Sequence, residues 1–386
     1  MSEANPMGTE IPVLWHGRWV RAFVPTPLRE RDLALSTSTV ARTVTARAEI
    51  VRAAEGLESD CEPLVRLLLR AEGIASSYIE GIQSPVVDVV LAEEHLMQDN
   101  RAAAWVVANL AAITQAIAAS RSTALTIEIL CDWHRTLMTG SPTPERFVGA
   151  IRDEQGWIGG TDPTNAHLVT PPPGELRRLL EDLIDYANSD EGDEIAQAAI
   201  AHAQFEIIHP FADGNGRIGR VLVAWILARR LSLAVPPPVS VAIASEVGGY
   251  LSGLAMFRLG QHEQWVRWFA GAVEGGGRGQ RALISRVEEL KVSWNARMHD
   301  RNRRALRSDA AAWRVLELLP RHLVLTTNIV RNELGLSNKA ANDALRQCAE
   351  RDVLLAYGTV IRGRGQPLKL YVSRELLALA GSNPLR

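Results

Sequence analysis

The stretch "HPFADGNGRIGR", residues 209–220, places a histidine, an acid, a glycine-rich turn and two arginines within twelve positions. Gly214, Asn215 and Gly216 stand directly before an apolar run typical of a helix, so unpaired N–H groups and the positive end of the helix dipole face the turn. Glycine lets a phosphate approach the backbone closely. The pattern therefore predicts an anion-binding loop that opens onto a helix.

Four side chains beside this loop suit chemistry on a nucleotide. Arg217 and Arg220 lie three positions apart in the first helical turn and can donate charge-assisted hydrogen bonds to phosphate oxygens. His209 could take a proton from a hydroxyl nucleophile, and Asp213 offers a hard oxygen ligand suited to Mg²⁺ bound to phosphates. The alternative is a glycine-rich turn before a helix with a histidine in the core, which a bare GNG would favour.

Mainly helical elements must position these residues. The hydrophobic spacing predicts helices over about 36–82, 86–120, 126–140, 174–188, 193–208, 217–231 and 246–273. The turn-rich segment 149–173 favours a small β-hairpin, and residues 1–35 favour an extended arm. The glycine cluster 275–279 precedes a mixed-charge segment, 280–307, that predicts a solvated helix joining two bodies.

The tail 308–386 has the pattern of a winged helix-turn-helix: three helices followed by two β-type runs around a Gly/Arg tip. It carries 11 Lys+Arg against 7 Asp+Glu, whereas the whole chain has a net charge of −2. Candidate DNA contacts are Asn338, Lys339, Asn342 and Arg346 in a major groove, with Arg362 and Arg364 at the wing tip. Docking or dimerisation stays open as the alternative use of this unit.

Composition limits the other function classes. The small net charge predicts no attraction of the whole chain to nucleic acid or to an anionic membrane. The acidic start lacks the pattern of a signal peptide, so we expect a cytoplasmic protein, and the apolar stretches are too short or too interrupted for a membrane span. Cys61, Cys131 and Cys348 lack the spacing of a disulfide framework or a zinc site, so we expect buried free thiols.

The motif "HPFADGNGRIGR" resembles the signature of the Fic (Fic/Doc) family, HPFx(D/E)GNGRxxR, at every defined position. The segments "HAQFEIIHPF", "LCDWHRTL" and "GAIRDEQGWIGG…VTPPP" are similar to its flanking helices and its flap, and the resemblance covers about residues 11–273. It implies a mainly α fold, with a Fic-type helical core and a small β-hairpin flap, followed here by the winged helix-turn-helix domain. It also implies a protein adenylyltransferase that moves AMP from ATP to a Ser, Thr or Tyr hydroxyl.

The resemblance implies a role for each signature residue and for the flap, 157–170, which would hold the target segment by backbone pairing. Phe211 is expected in the core. The implied roles are the base for His209, the Mg²⁺ ligand for Asp213, the lining of the anion hole for Gly214, Asn215 and Gly216, support of the phosphates for Arg217, and the grip on the γ-phosphate for Arg220.

A second motif, "SSYIEG" at residues 76–81, resembles the family's inhibitory motif (S/T)xxxE(G/N), with Gly81 as a helix stop. The resemblance implies that Glu80 pairs with Arg220 and blocks the γ-phosphate. We expect a bidentate, charge-assisted pair, with Ser76 hydrogen-bonding Glu80 from one turn away. The alternatives are an exposed glutamate and an exposed serine.

These readings predict four parts: an arm and helices with the inhibitory motif (1–95), the Fic core (96–275), a helical linker (276–307) and the winged helix (308–386). The predicted partners are ATP, Mg²⁺, target proteins or the chain itself, and DNA through 308–386, with no membrane and a homodimer left open. One alternative is a DNA-binding regulator whose Fic-like body senses a nucleotide without turnover. Another is an enzyme that transfers a different phosphate-containing group or removes AMP.

Overall fold

The computed structural model describes residues 7–57, 62–97, 99–300, 305–360 and 367–381. In chain order its elements are β1 (Gly8–Trp15), β2 (Arg18–Pro25), α1 (Thr37–Glu55), α2 (Glu62–Ile79), α3 (Val86–Glu93), α4 (Arg101–Ala119), α5 (Ile127–Leu137), β3 (Trp157–Ile158), β4 (Leu168–Val169), α6 (Pro173–Asn188), α7 (Glu194–Ile208), α8 (Asn215–Arg230), α9 (Val239–Ser245), α10 (Val247–Arg258), α11 (His262–Met298), α12 (Ala311–Leu318), β5 (Val324–Leu325), α13 (Thr327–Leu334), α14 (Asn338–Ala349), β6 (Leu355–Val360), β7 (Leu368–Val372) and α15 (Arg374–Gly381).

The N-terminal segment forms a β-hairpin, so the predicted extended arm is wrong for residues 8–25. Strands β1 and β2 pair antiparallel along their full length. His16 and Gly17 between them both have positive φ, 44° and 78°, as a two-residue type I′ turn requires. Val20 and Ala22 of β2 are buried with Val169 of β4, which places this hairpin against the predicted flap hairpin, β3–β4.

Helices α7 and α8 form the centre of the helical body. Almost every residue of both helices is buried, because α4, α6 and α11 cover their different sides. Apolar residues lie on all faces of both helices, as helices without a solvent-facing side require, and a few buried polar residues stand among them. Helix α4 is long and apolar enough to cross a membrane by length and composition, and here it packs against α2, α5 and α8. The loop 209–214 therefore joins the two most enclosed helices of the body.

Helix α11 runs for 37 residues through the glycine cluster 275–279, so one helix covers the end of the predicted segment 246–273 and most of the predicted segment 280–307. A Cβ at Gly276 would lie 3.3 Å from the backbone of Pro238, and one at Gly277 would lie 3.0 Å from Glu49 Cγ. The missing side chains thus let α9 and α1 approach α11 closely. The segment 280–307 is also not solvated all round, because α11 buries one face there, through Leu283, Val287, Trp294 and Met298.

The C-terminal unit combines helices α12 to α15 with a three-stranded antiparallel sheet in the order β5-β7-β6. Its apolar cluster is continuous with residues of α2, α3 and α11, and α15 packs against all three of those helices. The side chains predicted to meet DNA from α14, which include Lys339 and Arg346, are exposed. Arg362 and Arg364 lie outside the described residues.

Two of the three cysteines fall within the described residues, and both are free thiols. Cys348 is buried in α14, whereas Cys131 in α5 is only half-buried. Cys61 lies outside the described residues.

Candidate active site

The signature loop is held in shape by backbone geometry and one amide side chain. Helix α7 ends at His209, which adopts a left-handed conformation with φ 50° and ψ 60°. Helix α8 starts after Gly214, whose φ of 76° favours glycine. Asn215 closes the loop, since its Oδ1 accepts from the N–H of Phe211 at 2.9 Å and its Nδ2 donates to the carbonyl of Phe211 at 2.8 Å. Phe211 itself is buried in the core, as predicted.

His209 is arranged as a proton acceptor. Its Nδ1 lies 3.3 Å from the carbonyl oxygen of Glu206, which can only accept, so Nδ1 carries the proton and Nε2 carries the lone pair. Burial lowers the pKa of His209 to about 4, so the ring is neutral at physiological pH. The structure therefore supplies a base that needs no carboxylate partner.

The first turn of α8 has the unpaired backbone N–H groups on which the predicted anion-binding loop depends. The N–H groups of Asn215, Gly216 and Arg217 have no intrahelical acceptor, as at any helix start. The Asn215 side chain is engaged with Phe211, so only its backbone can contribute to the anion hole. A Cβ at Gly216 would lie 2.1 Å from Glu80 Oε1. Glycine at this position therefore leaves room for an oxyanion, and a carboxylate oxygen fills that room.

Arg217 is a buried cation whose guanidinium is only partly satisfied. Its side chain is 6% exposed, and its Nε has no hydrogen-bond partner in the part of the chain that the structure describes. Its Nη2 lies 4.0 Å from the sulfur of Met138, a weak acceptor. Burial lowers its pKa. A phosphate oxygen would supply the missing acceptor.

Arg220 is bound by both residues of the predicted inhibitory motif. Its Nη2 donates to Glu80 Oε1 at 2.8 Å and to the backbone carbonyl of Ser76 at 2.7 Å, and its Nε donates to Ser76 Oγ at 2.9 Å. The prediction of a bidentate pair is therefore wrong. Only one oxygen of Glu80 accepts from Arg220, and the carbonyl of Ser76 is the second acceptor at Nη2. Ser76 bonds Arg220 rather than Glu80, because its hydroxyl faces the buried guanidinium. Burial would lower the pKa of Arg220, but the Glu80 carboxylate raises it above its usual value.

The helix that carries this motif is fixed from its other side. Asn109 of α4 donates to the carbonyl of Gly73 at 3.1 Å and lies 3.2 Å from Ser77 Oγ. A Cβ at Gly73 would lie 2.6 Å from Leu110, so α2 and α4 touch at this glycine. Gly81 ends the helix with a φ of 77°, as predicted. These contacts set the rotation of α2 that directs Ser76 and Glu80 at Arg220.

Asp213 lies at the exposed mouth of the loop. Its Oδ1 accepts from the N–H of Gly214 at 2.6 Å and its Oδ2 accepts from Thr143 Oγ1 at 3.3 Å. Among the described residues, no group of three or more His, Cys, Asp or Glu side chains could hold a metal ion. A single carboxylate fits Mg²⁺, which keeps waters and takes further oxygens from phosphates.

His134 is a site residue that the sequence did not single out. Its Nδ1 accepts from the N–H of Gly149 at 2.9 Å, so its Nε2 carries the proton and donates to the carbonyl of Asp213 at 3.0 Å. Its ring stacks on Phe211 with centroids 3.9 Å apart, and burial lowers its pKa to about 4. The motif "LCDWHRTL" marks its position, but the distant partners give it its role.

Glu206 lies one turn before His209 in α7 and is also buried. Its Oε1 has no hydrogen-bond partner within the described ranges, and a Cβ at Gly219 would lie 2.3 Å from it. Burial raises its pKa to about 8, with a further increase from Glu80 and an opposing effect of Arg220. The carboxyl group is therefore largely protonated at neutral pH, so it does not compete with Glu80 as the counterion of Arg220.

Comparison with known proteins agrees with this geometry. Residues 124–227 match the model of the Fic/DOC family. The chain is similar to protein adenylyltransferase fic-1 of Caenorhabditis elegans, with 30% identity over 38% of the chain and 27% of the relative. It is similar to protein adenylyltransferase Fic of Drosophila willistoni, with 31% identity over 39% and 28%. The match thus spans about a quarter of these relatives' length.

Two solved structures share the fold. A Fic family protein from Desulfovibrio desulfuricans G20 superposes with a TM-score of 0.55 at 23% identity, covering 87% of this chain and 97% of that one. A fragment of Fic-1 from Caenorhabditis elegans superposes with a TM-score of 0.51 at 20% identity, covering 66% and 74%. The mainly helical fold with a Fic-type core, predicted from the sequence, is confirmed.

Proposed function

We propose that the chain is a protein adenylyltransferase, held inactive by Glu80, that moves AMP from ATP to a Ser, Thr or Tyr hydroxyl of a target protein or of the chain itself. The observation that carries this proposal is the neutral His209, with the lone pair on Nε2, next to a helix start with two buried arginines. The similarity of residues 124–227 to Fic/DOC proteins, among them adenylyltransferases, supports it.

In this reaction the target hydroxyl oxygen attacks the α-phosphorus of ATP. The hydroxyl proton passes to Nε2 of His209, the bond from the α-phosphorus to the bridging oxygen breaks, and pyrophosphate leaves. Arg217 and the N–H groups of the first turn of α8 would hold phosphate oxygens, and Asp213 would hold Mg²⁺. When bound, Mg²⁺ would neutralise part of the charge on the phosphates.

The inhibited state follows from what Glu80 covers. Its carboxylate occupies the space over Gly216 and one donor of Arg220, which a γ-phosphate oxygen would need. A phosphate and a carboxylate cannot share this space without strong like-charge repulsion. ATP therefore binds in a pose unsuited to transfer until Glu80 leaves.

Two other functions would use the same loop. A nucleotide sensor without turnover would need the anion-binding loop but no base, so the prepared His209 favours an enzyme. An enzyme that transfers another phosphate-containing group or removes AMP would keep His209. Intact mass after incubation with ATP and Mg²⁺ distinguishes these cases, since only AMP transfer adds the mass of adenylate.

The test measures incorporation of label from α-labelled ATP, into the chain itself and into a lysate, by wild type and by Glu80→Gly. Relief of one charge-assisted hydrogen bond of about 1.5 kcal/mol should raise the rate about 10-fold. We expect the low end of the range for such bonds because the Glu80 side chain is 37% exposed. Equal rates for wild type and Glu80→Gly would rule out inhibition by Glu80.

Two further variants assign the roles. Glu80→Gly with His209→Ala should lose transfer by about 10²-fold to 10⁴-fold while retaining ATP affinity, because base and phosphate site are separate groups. Glu80→Gly with Arg220→Ala should lose most of the gain, because Arg220 is the group set free. Near-normal label incorporation by the His209→Ala chain would exclude His209 as the base.

We also propose that the C-terminal unit is a winged helix that binds DNA. Support comes from the exposed face of α14, with Lys339 and Arg346, and from the sheet that follows it. Arg346 also pairs with Asp343 and Glu350, which lowers the positive charge on this face. The expected affinity is therefore modest and sensitive to salt.

A further inference from the structure

Arg152 lies beneath the signature loop and is almost fully buried, with 3% of its surface exposed. Its Nε donates to the carbonyl oxygen of His209 at 2.8 Å, and its backbone N–H donates to the carbonyl of Pro210 at 2.9 Å. One residue thus holds two consecutive carbonyls at the start of the loop that carries the base. The left-handed φ of 50° at His209 costs roughly 1–3 kcal/mol and persists only where neighbours restrain it.

The other two nitrogens of Arg152 reach both arms of the flap hairpin. Nη1 donates to the carbonyl of Glu154, before β3, at 2.7 Å. Nη2 donates to Thr170 Oγ1 at 2.9 Å and to the carbonyl of Pro171 at 2.7 Å, after β4. A Cβ at Gly156 would lie 2.7 Å from Nε, so this glycine leaves room for the guanidinium. The side chain therefore joins the turn at His209 to the base of the flap.

The charge of Arg152 is uncompensated. All these acceptors are neutral, and no carboxylate of the described residues forms an ion pair with it. Burial lowers its pKa to about 10, so it stays charged at neutral pH. The charges that face His209 are Arg152, Glu80 and Asp213; Arg152 lowers the pKa of His209 and the two acids raise it. A cation fixed here therefore opposes protonation of the base.

We propose that Arg152 is a positioning residue of the transfer reaction, which orients His209 and fixes the flap relative to it. This proposal rests on the proposed function. This role explains why one arginine donates hydrogen bonds to carbonyls of three separate segments. A lysine, with its single side-chain nitrogen, cannot match this set.

The test compares Arg152→Met and Arg152→Lys in the Glu80→Gly background, with Arg146→Met as the matched control. Arg146 lies near the same segment, but it is exposed, pairs with the Glu154 side chain and stacks over the Phe147 ring. Arg152→Met should lower kcat about 10–100-fold through misplacement of the base, with the ATP KM within about twofold. The acid limb of its pH profile should move to higher pH. Arg152→Lys should lower kcat but leave the acid limb of the pH profile unshifted. The Arg146→Met control should change neither kcat nor the acid limb.

A second measurement is independent of turnover. Titration of the His209 ring by NMR, in the chain without nucleotide, should show a higher pKa in Arg152→Met than in Arg152→Lys or the control. An unchanged His209 pKa, or a loss of ATP affinity equal to the loss of kcat, would overturn the positioning role. If the pKa moves but no variant transfers AMP, the proposed function fails while the effect of Arg152 on the base stands.

A different observation concerns helix α2, which contacts both the active site and the C-terminal unit. Near its end Ser76 bonds Arg220, and earlier along the helix lies Arg70, with 1% of its surface exposed. Arg70 Nη1 donates to the carbonyl of Arg321 at 3.1 Å, and its Nε donates to Glu93 of α3 at 2.8 Å. The same rigid helix thus connects the C-terminal unit to the inhibitory contact.

From this contact we infer that the C-terminal unit stabilises the inhibited state by holding α2, and with it Glu80, against Arg220. Any ligand that loosens the unit from α2 would favour transfer, because the two contacts share one helix. This inference also rests on the proposed function.

Its test is Arg70→Met in the full chain, with Arg281→Met as control. Arg281→Met removes a similar hydrogen bond, which Arg281 of α11 donates to Glu49 of α1 at 2.7 Å. Arg70→Met should raise transfer several-fold, the control should not, and Arg70→Met should add nothing once Glu80 is Gly. Arg70→Lys, which keeps the charge and is milder to folding, should give a smaller rise. Unchanged transfer in both Arg70 variants, or the same rise in the Glu80→Gly background, would overturn the inference; inactivity of Glu80→Gly alone would instead refute the proposed function.

Discussion

At the scale of single residues, desolvation of the His209 ring sets its protonation state. An unperturbed imidazole titrates near pH 6.5, but here burial lowers the pKa to about 4 and the carbonyl of Glu206 fixes the tautomer. A neutral ring with a free Nε2 is thus the resting state. The cost of this arrangement is a weaker base, because a lower pKa gives less driving force for proton transfer.

The pH dependence of transfer should show this lowered pKa. In the proposed reaction the neutral ring is the active form, so the rate set by His209 should be level from about pH 8 down to about pH 6 and fall as the pH approaches 4. Single-turnover label transfer by Glu80→Gly would measure it, with far-UV circular dichroism to show that the chain stays folded. A half-maximal rate near pH 6.5 would contradict the lowered pKa of His209.

The residues of the signature were predictable because their spacing is local, whereas their partners were not. The loop and the start of α8 follow from glycines before an apolar run. The structure also contains the expected ion pair between Glu80 and Arg220. The partners of His134 and Arg152 are mainly backbone groups brought together by the fold, and backbone groups leave no trace in a sequence. Ser76 was assigned the wrong partner because the rotation of α2 is set by Asn109, from another helix.

At the scale of elements, the start of α8 depends on the conformation of one glycine. Gly214 combines a positive φ with close neighbours, since a Cβ would lie 3.0 Å from Met138 Sδ and 3.1 Å from Leu137 Cδ2. An alanine would therefore be strained by its backbone and crowded by its surroundings, and the first turn of α8 would shift.

Gly214→Ala should lower the free energy of unfolding by about 1–2 kcal/mol and weaken ATP binding. Gly174→Ala is the matched control, because Gly174 lies in the first turn of α6 with no atom within 4 Å of its Cβ position and no positive φ. Chemical denaturation and calorimetric titration with ATP would compare the two. Equal ATP affinity in both variants would mean that the turn tolerates a side chain.

The prediction of elements succeeded where the hydrophobic spacing is strong and failed where tertiary packing determines the local structure. The core helices lie where their periodicity predicts, although the predicted segments 36–82, 86–120 and 246–273 each contain two helices. The N-terminal hairpin was missed because its turn, His16-Gly17, is a weak signal among scattered Trp and Arg. Helix α11 continues through 275–279 because close contacts with α1 and the start of α9 override the low helix propensity of glycine.

At the scale of the whole molecule, the C-terminal unit is seated on the helical body. Its reversed charge marks it as a separate unit in the sequence. The apolar cluster it shares with α2, α3 and α11 shows that it does not stand apart from the body. Docking of this kind could not be predicted, because the residues that form the contact have the sequence pattern of an ordinary helix face.

Retention of the full chain on duplex DNA should fall steeply with added salt, since the proposed contacts are mainly to phosphates. Replacing Lys339 and Arg346 together by Gln should reduce the slope of log affinity against log salt by about 2. A filter-binding series would measure this, with Arg177→Gln with Arg178→Gln on α6 as the control for lost charge. Absence of retention even at low salt would leave docking as the use of this unit.

Amide hydrogens of the glycine cluster in α11 should exchange slowly with solvent, although a glycine run is the kind of sequence expected to exchange fast. Four of its glycines are buried, and α1 and the start of α9 lie directly against two of them. Exchange there requires α1 to separate from α11, an opening close in free energy to global unfolding. Exchange at residues 275–279, followed by mass spectrometry, would thus report the stability of the whole helical body.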